Sequence, residues 1–300
     1  MMMQPLQGSF VALVTPMFPN GDLDYVSLKN LIDWQINKGI SGIVSVGTTG
    51  ESATVNVKEH IEIIEKTIEY TNGRVPVIAG TGANSTQEAI ELTQTANNLG
   101  ADYALVVTPY YNKPNQDGLI KHYLKIADEV NIPLILYNVP SRTACDLEPK
   151  TVSYLSAHPK IIGIKEAVDN EKRMDELLAI SKKLKDKKNF SILSGDDPTF
   201  NSFMEKGADG VISVAANIIP EDIAKICIFN LDKEFDKAID LNNKFLNLYD
   251  LLFVESNPIP VKWALEKMNK IESGIRLPLV SLNEAFHEEI SKELSKLELI

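Results

Sequence analysis

Short apolar runs alternate with segments of helical periodicity along most of the chain. Eight of these runs are rich in β-branched residues and have the length of a buried strand. They are Phe10–Thr15, Gly42–Val46, Val75–Ala79, Tyr103–Val107, Leu134–Tyr137, Ile161–Lys165, Ser191–Ser194 and Gly210–Val214. In most cases about 30 residues separate the end of one run from the end of the next, which is the size of one strand and helix unit.

The segments between these runs carry apolar residues at spacings of three and four, as amphipathic helices do. Clear examples are Val57–Tyr70, Thr86–Leu99, Gly118–Val130 and Glu171–Leu184, and Ser85 to Glu88 has the pattern of a capping box. Continuous apolar strands alternating with helices indicate a parallel sheet covered on both faces. Eight such units predict an α/β protein with a (β/α)8 TIM barrel, and a doubly wound open sheet is the alternative.

The last quarter of the chain changes to a helical pattern without strands. We expect residues 1–218 to form the barrel with its active site, and residues 219–300 to supply the eighth barrel helix and a three-helix extension. One long helix is predicted over Asp232–Glu255 and another over Val261–Asn269, after the break at Pro258-Ile259-Pro260.

The charge and the residue composition argue against several classes of partner and site. The 300 residues include 30 basic and 41 acidic side chains, a net charge of −11 that argues against nucleic acid and anionic membranes as partners. The four histidines lie far apart in sequence and the two cysteines form no metal or redox motif, so we expect no metal site and a reducing compartment. The start lacks a secretory signal pattern and no apolar run approaches the length of a bilayer span, which predicts a cytoplasmic protein.

Lys165 is the first candidate for chemistry, because a buried strand rarely ends in an unpaired ammonium. Strand alternation predicts Ile161, Gly163 and Lys165 on one face, with Ile162 and Ile164 on the other, so that a glycine leaves room beside the lysine. Removal from water favours the neutral amine, which can attack a carbonyl to form a Schiff base. The alternative is a strand-end lysine that reaches into solvent.

In a barrel the active site lies where the strands end, so the residues directly after each run become candidates. Hydroxyl, phenol and cationic side chains dominate there, as expected for a site that binds an anionic carbonyl compound. The segments are Gly47–Ser52, Gly80–Asn84, Thr108–Asn112, Tyr137–Thr143 and Gly195–Asp197.

Each segment also has a simpler interpretation. Gly47–Gly50 has no P-loop lysine and could be only a tight turn, Tyr137 could be a core residue, and Arg142 could lie on a surface loop. Asp196-Asp197-Pro198 could ligate magnesium, although a helix cap with proline in the first turn is favoured.

Two segments taken together resemble the dihydrodipicolinate synthase / N-acetylneuraminate lyase family of pyruvate-dependent aldolase-like barrels. The first runs from Gly42 through Gly47-Thr48-Thr49-Gly50-Glu51-Ser52, and the second is Tyr137-Asn138-Val139-Pro140-Ser141-Arg142-Thr143 followed by Lys165. The similarity extends from about Gly8 to Met268. Thr48-Thr49, Pro109–Asn112 and Pro140–Thr143 are most similar to the branch that condenses pyruvate with L-aspartate 4-semialdehyde in diaminopimelate and lysine biosynthesis.

The resemblance implies a role for each matching residue. Lys165 would form the imine with pyruvate, Tyr137 would transfer protons, and Thr48 and Tyr111 would complete the proton relay. Thr49 and the backbone of Ile212 would bind pyruvate, and Arg142 would bind the carboxylate of the semialdehyde. The resemblance implies no cofactor, and a homotetramer built as a dimer of dimers in which Tyr111 serves the neighbouring subunit.

The resemblance also implies an allosteric site for L-lysine. The matching positions are Ser52, Ala53, His60, Asn84, Glu88 and Tyr110. Val57 departs from the pattern of strongly inhibited relatives, which often carry histidine there, and Glu88 could instead complete the capping box. Two other functions stay open at this point: another aldolase activity of the same family, and an inactive barrel that acts as a binding protein.

Overall fold

The computed structural model describes residues 6–300, and its centre is a closed barrel of eight parallel strands. Each strand pairs with its neighbours in chain order and β8 returns to pair with β1, which excludes the open-sheet alternative. The strands are β1 (Gly8–Ala12), β2 (Gly42–Ser45), β3 (Val77–Gly80), β4 (Tyr103–Val107), β5 (Leu134–Asn138), β6 (Ile161–Glu166), β7 (Ser191–Ser194) and β8 (Gly210–Ser213). The prediction of a TIM barrel is confirmed; the bounds of β4 and β7 are as predicted, and those of the other strands shift by up to three residues.

Helices follow the strands, and all of them except the short α5 (Pro140–Thr143), which lies at the mouth of the barrel, cover its outside. They are α1 (Tyr25–Asn37), α2 (Val57–Thr71), α3 (Thr86–Leu99), α4 (Gln116–Glu129), α5 (Pro140–Thr143), α6 (Pro149–Leu155), α7 (Glu171–Leu184), α8 (Phe200–Glu205) and α9 (Pro220–Leu231). The full capping box is found at α2, between Asn56 and Glu59. At α3 only half of it forms: Ser85 accepts from the backbone N–H of Glu88, and the carboxylate of Glu88 makes no return bond.

Two apolar clusters fill the space on either side of the strands. The inner cluster lies within the barrel and includes Phe10, Ile78, Leu105 and Leu193. The larger outer cluster packs the other strand face against the helices. Burial of both strand faces explains why the strands appear in the sequence as continuous apolar runs.

The C-terminal region differs in part from the prediction. The long helix expected over Asp232–Glu255 was wrong, because α9 ends at Leu231 and two short helices follow, α10 (Phe235–Asn242) and α11 (Leu246–Leu251). Lys233 has a φ of 62°, which a continuous helix cannot contain. With α12 (Ile259–Lys267) and α13 (His287–Lys296), the extension has four helices rather than three. Whether the chain divides into units at residues 218 and 219 stays a prediction.

Strand β6 departs from simple alternation. The pairing of β5 with β6 changes register between Leu134 and Ile135, which are opposite Ile161 and Gly163. The intervening Ile162 belongs to the inner cluster, whereas Ile161 and Ile164 belong to the outer one. The prediction that Ile162 and Ile164 share a face was therefore wrong, because a bulge inserts one residue into the strand.

No helix among residues 6–300 is both long enough and apolar enough to cross a membrane.

Candidate active site

Lys165 lies near the C-terminal end of β6 with only 6% of its surface exposed. It is opposite Tyr137 of β5 in the strand pairing, and its Nζ lies 4.4 Å from the centroid of the Tyr137 ring. The interpretation of Lys165 as a solvent-exposed strand end was wrong. The chain instead places a primary amine against the face of a phenol ring inside the barrel mouth.

The glycine that makes room for this lysine is Gly195, not Gly163. A Cβ atom added to Gly195 would lie 2.8 Å from Cε and 3.0 Å from Cγ of Lys165. A Cβ at Gly163 would instead meet the backbone oxygen of Ser191 at 2.6 Å, so that glycine allows β6 and β7 to approach each other. The sequence analysis correctly predicted that a glycine leaves space beside the Lys165 side chain, but it selected the wrong glycine. Alternation within one strand cannot show which residues a neighbouring strand places next to it.

A cavity of about 740 Å³ opens above the barrel at these strand ends. Five of the predicted site residues line it together: Thr48, Thr49, Tyr137, Arg142 and Lys165. The remaining wall is formed by Ala12, Val44, Gly47, Leu105, Val139, Ser141, Ala167, Gly195, Asp196, Val214 and residues 253–257. Amine, phenol, hydroxyl and guanidinium groups therefore converge on one space, as expected for binding and reaction of a small anionic carbonyl compound.

Two predicted residues lie outside this wall. Ile212 is buried in the inner cluster and pairs with Phe10 of β1, and Val214 of the same segment lines the cavity in its place. Only the backbone of Ile212 could take part in binding, as the resemblance implies. Tyr111 is 84% exposed on the loop after β4 and does not line the cavity of its own chain.

The loop after β2 is both a tight turn and a wall of the cavity. Val46 has a φ of 51° and Glu51 a φ of 58°, values that are uncommon for residues with a side chain and rare for a β-branched one. Gly80 of β3 permits this path, since an added Cβ there would lie 2.4 Å from the carbonyl oxygen of Val46. The strained loop turns Thr48 and Thr49 towards the cavity.

Asn257 is a functional candidate that the sequence analysis did not identify. Its side-chain N–H donates to Oγ1 of Thr49 at 2.9 Å, and its backbone oxygen accepts from Arg142 at 3.4 Å. A threonine hydroxyl that accepts this bond has its own proton free for another acceptor. The position of Asn257 in the C-terminal region, 208 residues after Thr49, gave no local pattern from which the contact could be inferred.

A buried ion pair between Lys262 and Glu51 connects the loop after β2 to the C-terminal region. The Lys262 ammonium contacts the Glu51 carboxylate and donates to the backbone oxygen of Thr15 at 3.0 Å. Burial lowers the pKa of Lys262, and the carboxylate of Glu51 acts in the opposite direction. Helix α12 thereby fixes the far side of the Thr48–Thr49 loop.

The two acidic residues after β7 have different partners, and Asp197 does not cap the helix that follows. Asp197 accepts from the backbone N–H groups of Val214 at 3.0 Å and Ala215 at 2.8 Å, so it holds the segment after β8. Asp196 accepts from the Thr199 hydroxyl at 2.6 Å. Burial raises the pKa of Asp197 to about 6. The favoured prediction of a helix cap was wrong, because α8 begins later, at Phe200.

The chain is similar to known proteins over nearly its whole length. A family model for the dihydrodipicolinate synthetase family matches residues 5–297. The chain belongs to this family. A 4-hydroxy-tetrahydrodipicolinate synthase of Teredinibacter turnerae is 50% identical over 284 residues, which are 95% of this chain and 96% of that protein.

Solved structures agree with this family membership. A chloride-inhibited dihydrodipicolinate synthase from Acinetobacter baumannii, complexed with pyruvate, is 50% identical with a TM-score of 0.94, and the match covers 98% of this chain and all of that one. An enzyme of the family from Cyanidioschyzon merolae, solved with lysine bound, is 32% identical with a TM-score of 0.93 over 98% of this chain and 99% of its own.

The candidate effector residues of this family member lie on neighbouring loops and helices. Oδ1 of Asn84 accepts from the backbone N–H groups of Tyr110 at 2.8 Å and Tyr111 at 3.1 Å, so it connects the loops after β3 and β4. His60 is buried in α2 with Nε2 2.7 Å from the oxygen of Gly80, and burial lowers its pKa. Ser52 and the exposed Ala53 follow the Thr48–Thr49 loop, and Glu88 is exposed at the start of α3. Their joint role as an effector site stays a prediction.

Among residues 6–300, no group of three or more His, Cys, Asp or Glu side chains is arranged to hold a metal ion.

Proposed function

We propose that the chain is a 4-hydroxy-tetrahydrodipicolinate synthase, a lyase of the Schiff-base type that condenses pyruvate with L-aspartate 4-semialdehyde. The observation that carries this proposal is the buried amine of Lys165, 4.4 Å from the Tyr137 ring, in a cavity that also contains Thr48, Thr49 and Arg142. Relatives about 50% identical over nearly the whole chain are named for the same activity.

In the proposed reaction, Lys165 binds pyruvate covalently and is released at the end. Its amine attacks the keto carbon of pyruvate, water leaves, and a protonated imine forms. Loss of a proton from the methyl group gives an enamine, whose carbon attacks the aldehyde of the second substrate. The amine of that substrate then displaces Lys165 and closes the ring.

Protons move at carbinolamine formation, at enamine formation and at the aldol step, so the site requires a group that both donates and accepts them. The hydroxyl of Tyr137 is the proposed shuttle, because its ring lies against the reacting amine. Thr48 lines the same cavity and is proposed as the next member of the relay, although no hydrogen bond joins it to Tyr137 among residues 6–300.

The substrate carboxylates are assigned by charge and hydrogen bonding. The Thr49 hydroxyl, whose oxygen already accepts from Asn257, is proposed to donate to the pyruvate carboxylate. The guanidinium of Arg142 is a two-pronged donor suited to the carboxylate of the semialdehyde. The backbone of Ile212 is proposed for pyruvate on the resemblance alone.

The exposed tyrosines support the proposed assembly. Tyr110 is 47% exposed and Tyr111 is 84% exposed on one loop, an aromatic surface that a second subunit would cover. We propose a homotetramer made of two dimers, in which each Tyr111 enters the relay of its twofold neighbour. Hybrids made from inactive Tyr111→Phe and inactive Lys165→Ala chains should regain partial activity, because one site in each mixed dimer has both residues. Hybrids that form without activity would place Tyr111 outside the shared site.

L-lysine is the proposed effector, bound by Ser52, Ala53, His60, Asn84, Glu88 and Tyr110. The support is the lysine-bound relative and the carboxylate of Glu88, which is free of the helix cap and could pair with an ammonium group. A titration of the synthase with L-lysine tests this part alone.

The activity itself is tested by a coupled assay with pyruvate and L-aspartate 4-semialdehyde, together with borohydride reduction in the presence of pyruvate. We expect turnover and a stable adduct on Lys165. An adduct on another lysine, such as the exposed Lys113, would contradict the assignment of the nucleophile. Turnover with a sugar-derived aldehyde instead of the semialdehyde would point to another aldolase of the family.

A further inference from the structure

Four polar side chains form a closed ring of hydrogen bonds behind the cavity. We call Asn138, Asp146, Glu166 and Arg173 the polar ring. Asn138 donates to Glu166 at 3.0 Å and to Asp146 at 2.9 Å. Arg173 closes the ring by donating to Glu166 at 2.7 Å and to Asp146 at 3.0 Å.

The most buried members of the polar ring, Glu166 and Asn138, have hydrogen-bond partners for their side-chain oxygens. The side chain of Glu166 has no exposed surface, and its carboxylate accepts from Asn138, Arg173 and the backbone N–H of Val168. The amide oxygen of Asn138 accepts from the backbone of Leu147 at 2.9 Å. Burial raises the pKa of Glu166, and the guanidinium of Arg173 acts in the opposite direction.

The polar ring lies directly next to the proposed catalytic pair in the strand pairing. Tyr137 is opposite Lys165, and the next residues, Asn138 and Glu166, are opposite each other. Successive side chains of a strand point to opposite faces. Tyr137 and Lys165 therefore face the cavity, while Asn138 and Glu166 point outward, where Arg173 at the start of α7 contacts Glu166.

A hydrogen bond between the ends of β5 and β6 can fix the register of these two strands. β6 contains a bulge between Ile161 and Gly163, so the pairing at the start of the strand does not fix the pairing at its end. A slip of one residue would turn every side chain after it to the opposite face. The bond between Asn138 and Glu166 lies after the bulge and joins the same two strands.

We propose that the polar ring is a positioning device for catalysis: it fixes the ends of β5 and β6 so that Tyr137 lies against the amine of Lys165. This inference rests on the proposed roles of those two residues. A buried ion pair is weak evidence for stability, since apolar residues of equal volume often serve as well. Its geometric effect is more specific, because the planar fork of Arg173 connects two carboxylates at once.

The first test is Arg173→Lys, which keeps the charge but cannot hold both carboxylates in the same geometry. We expect kcat to fall about 10- to 100-fold, since a misplacement of about 1 Å can cost about 100-fold. The KM for pyruvate should change less than threefold. Arg74→Lys is the matched control, because Arg74 pairs with Asp33 and donates to the backbone oxygen of Thr71, where α2 ends and the chain leads into the start of β3. This is the opposite end of the barrel from the cavity, so kcat should stay unchanged.

The second test separates positioning from general weakening. In a Tyr137→Phe background, Arg173→Lys should lower kcat less than twofold, because the misplaced phenol is already absent. A loss by the same factor in both backgrounds, or full kcat in Arg173→Lys itself, would overturn the inference.

A further variant covers the case in which Arg173→Lys does not fold. The double substitution Glu166→Gln with Arg173→Met removes both charges together, so no unpaired charge is buried. It should show the same 10- to 100-fold loss of kcat, and wild-type kcat would refute positioning by the polar ring. Borohydride trapping in the unsubstituted chain tests the proposed function separately, so failure of the two ideas can be told apart.

Discussion

Replacement of Gly195 by alanine is the most direct test of the lysine pocket. The new methyl group would lie 2.8 Å from Cε and 3.0 Å from Cγ of Lys165, and 3.0 Å from the Cβ of Ala167. Ordinary carbon contacts begin at about 3.5 Å, so the lysine stem must move by roughly 0.5 to 1 Å. A displacement of this size at a reacting atom can lower a rate by about 100-fold. We therefore expect Gly195→Ala to lose about 10- to 100-fold in kcat.

The assay combines steady-state rates with the rate of borohydride-trapped imine formation, because both depend on the position of the amine. Gly47→Ala serves as a control on the same rim, since a Cβ there would meet only Val44, at 3.6 Å. It should retain activity within about threefold, and both variants should melt as the parent chain does. Unchanged imine formation in Gly195→Ala would refute the reasoning, because it would mean that the pocket tolerates a displaced lysine.

Three further predictions concern other parts of the structure. Tyr137→Phe should keep its fold, because the ring still fills its space, but lose about 10²- to 10⁴-fold in kcat; near-normal turnover would remove the phenol from the mechanism. Asp197, with a pKa of about 6 in the folded chain and about 3.9 when unfolded, favours its neutral form on folding. Its stabilising contribution is therefore present below about pH 4 and is lost as the pH rises through 6. Relative to Asp197→Asn, the free energy of unfolding should fall by ~2 kcal/mol between pH 4 and 7, and urea unfolding curves with a constant difference would contradict this. Lys262→Met should destabilise the chain by about 3–5 kcal/mol in the same assay, because Glu51 stays buried without its cation, and a change below about 1 kcal/mol would show that the pair is dispensable.

Local patterns were sufficient for the barrel because each strand is buried on both faces and each helix on one. Lys165 could also be selected from the sequence, since a cation at the end of an apolar run conflicts with burial. The partners of these residues could not be selected in the same way. Gly195 approaches Lys165 from the loop directly after β7, and Asn257 approaches Thr49 from the segment between α11 and α12.

The errors have the same physical origin. The bulge in β6 is set by its pairing with β5, and the break after Leu231 is set by a single backbone conformation at Lys233. Asp197 resembles a helix cap in sequence, but the nearest free N–H groups in space belong to the segment after β8. Periodicity shows which face of an element is buried, and it does not show which distant group will meet a given side chain.

The contact between Lys262 and Glu51 also bears on how the chain acquires its site during synthesis. Its two members are separated by 211 residues, so a nascent chain can contain all eight strands while the loop with Thr48 and Thr49 still lacks its support. We therefore expect barrel closure and completion of the proposed catalytic centre to be two separate events on the ribosome. We expect a nascent chain stalled before α12 to be cleaved by protease within this loop, and protection at that stage would show that the loop is ordered without Lys262.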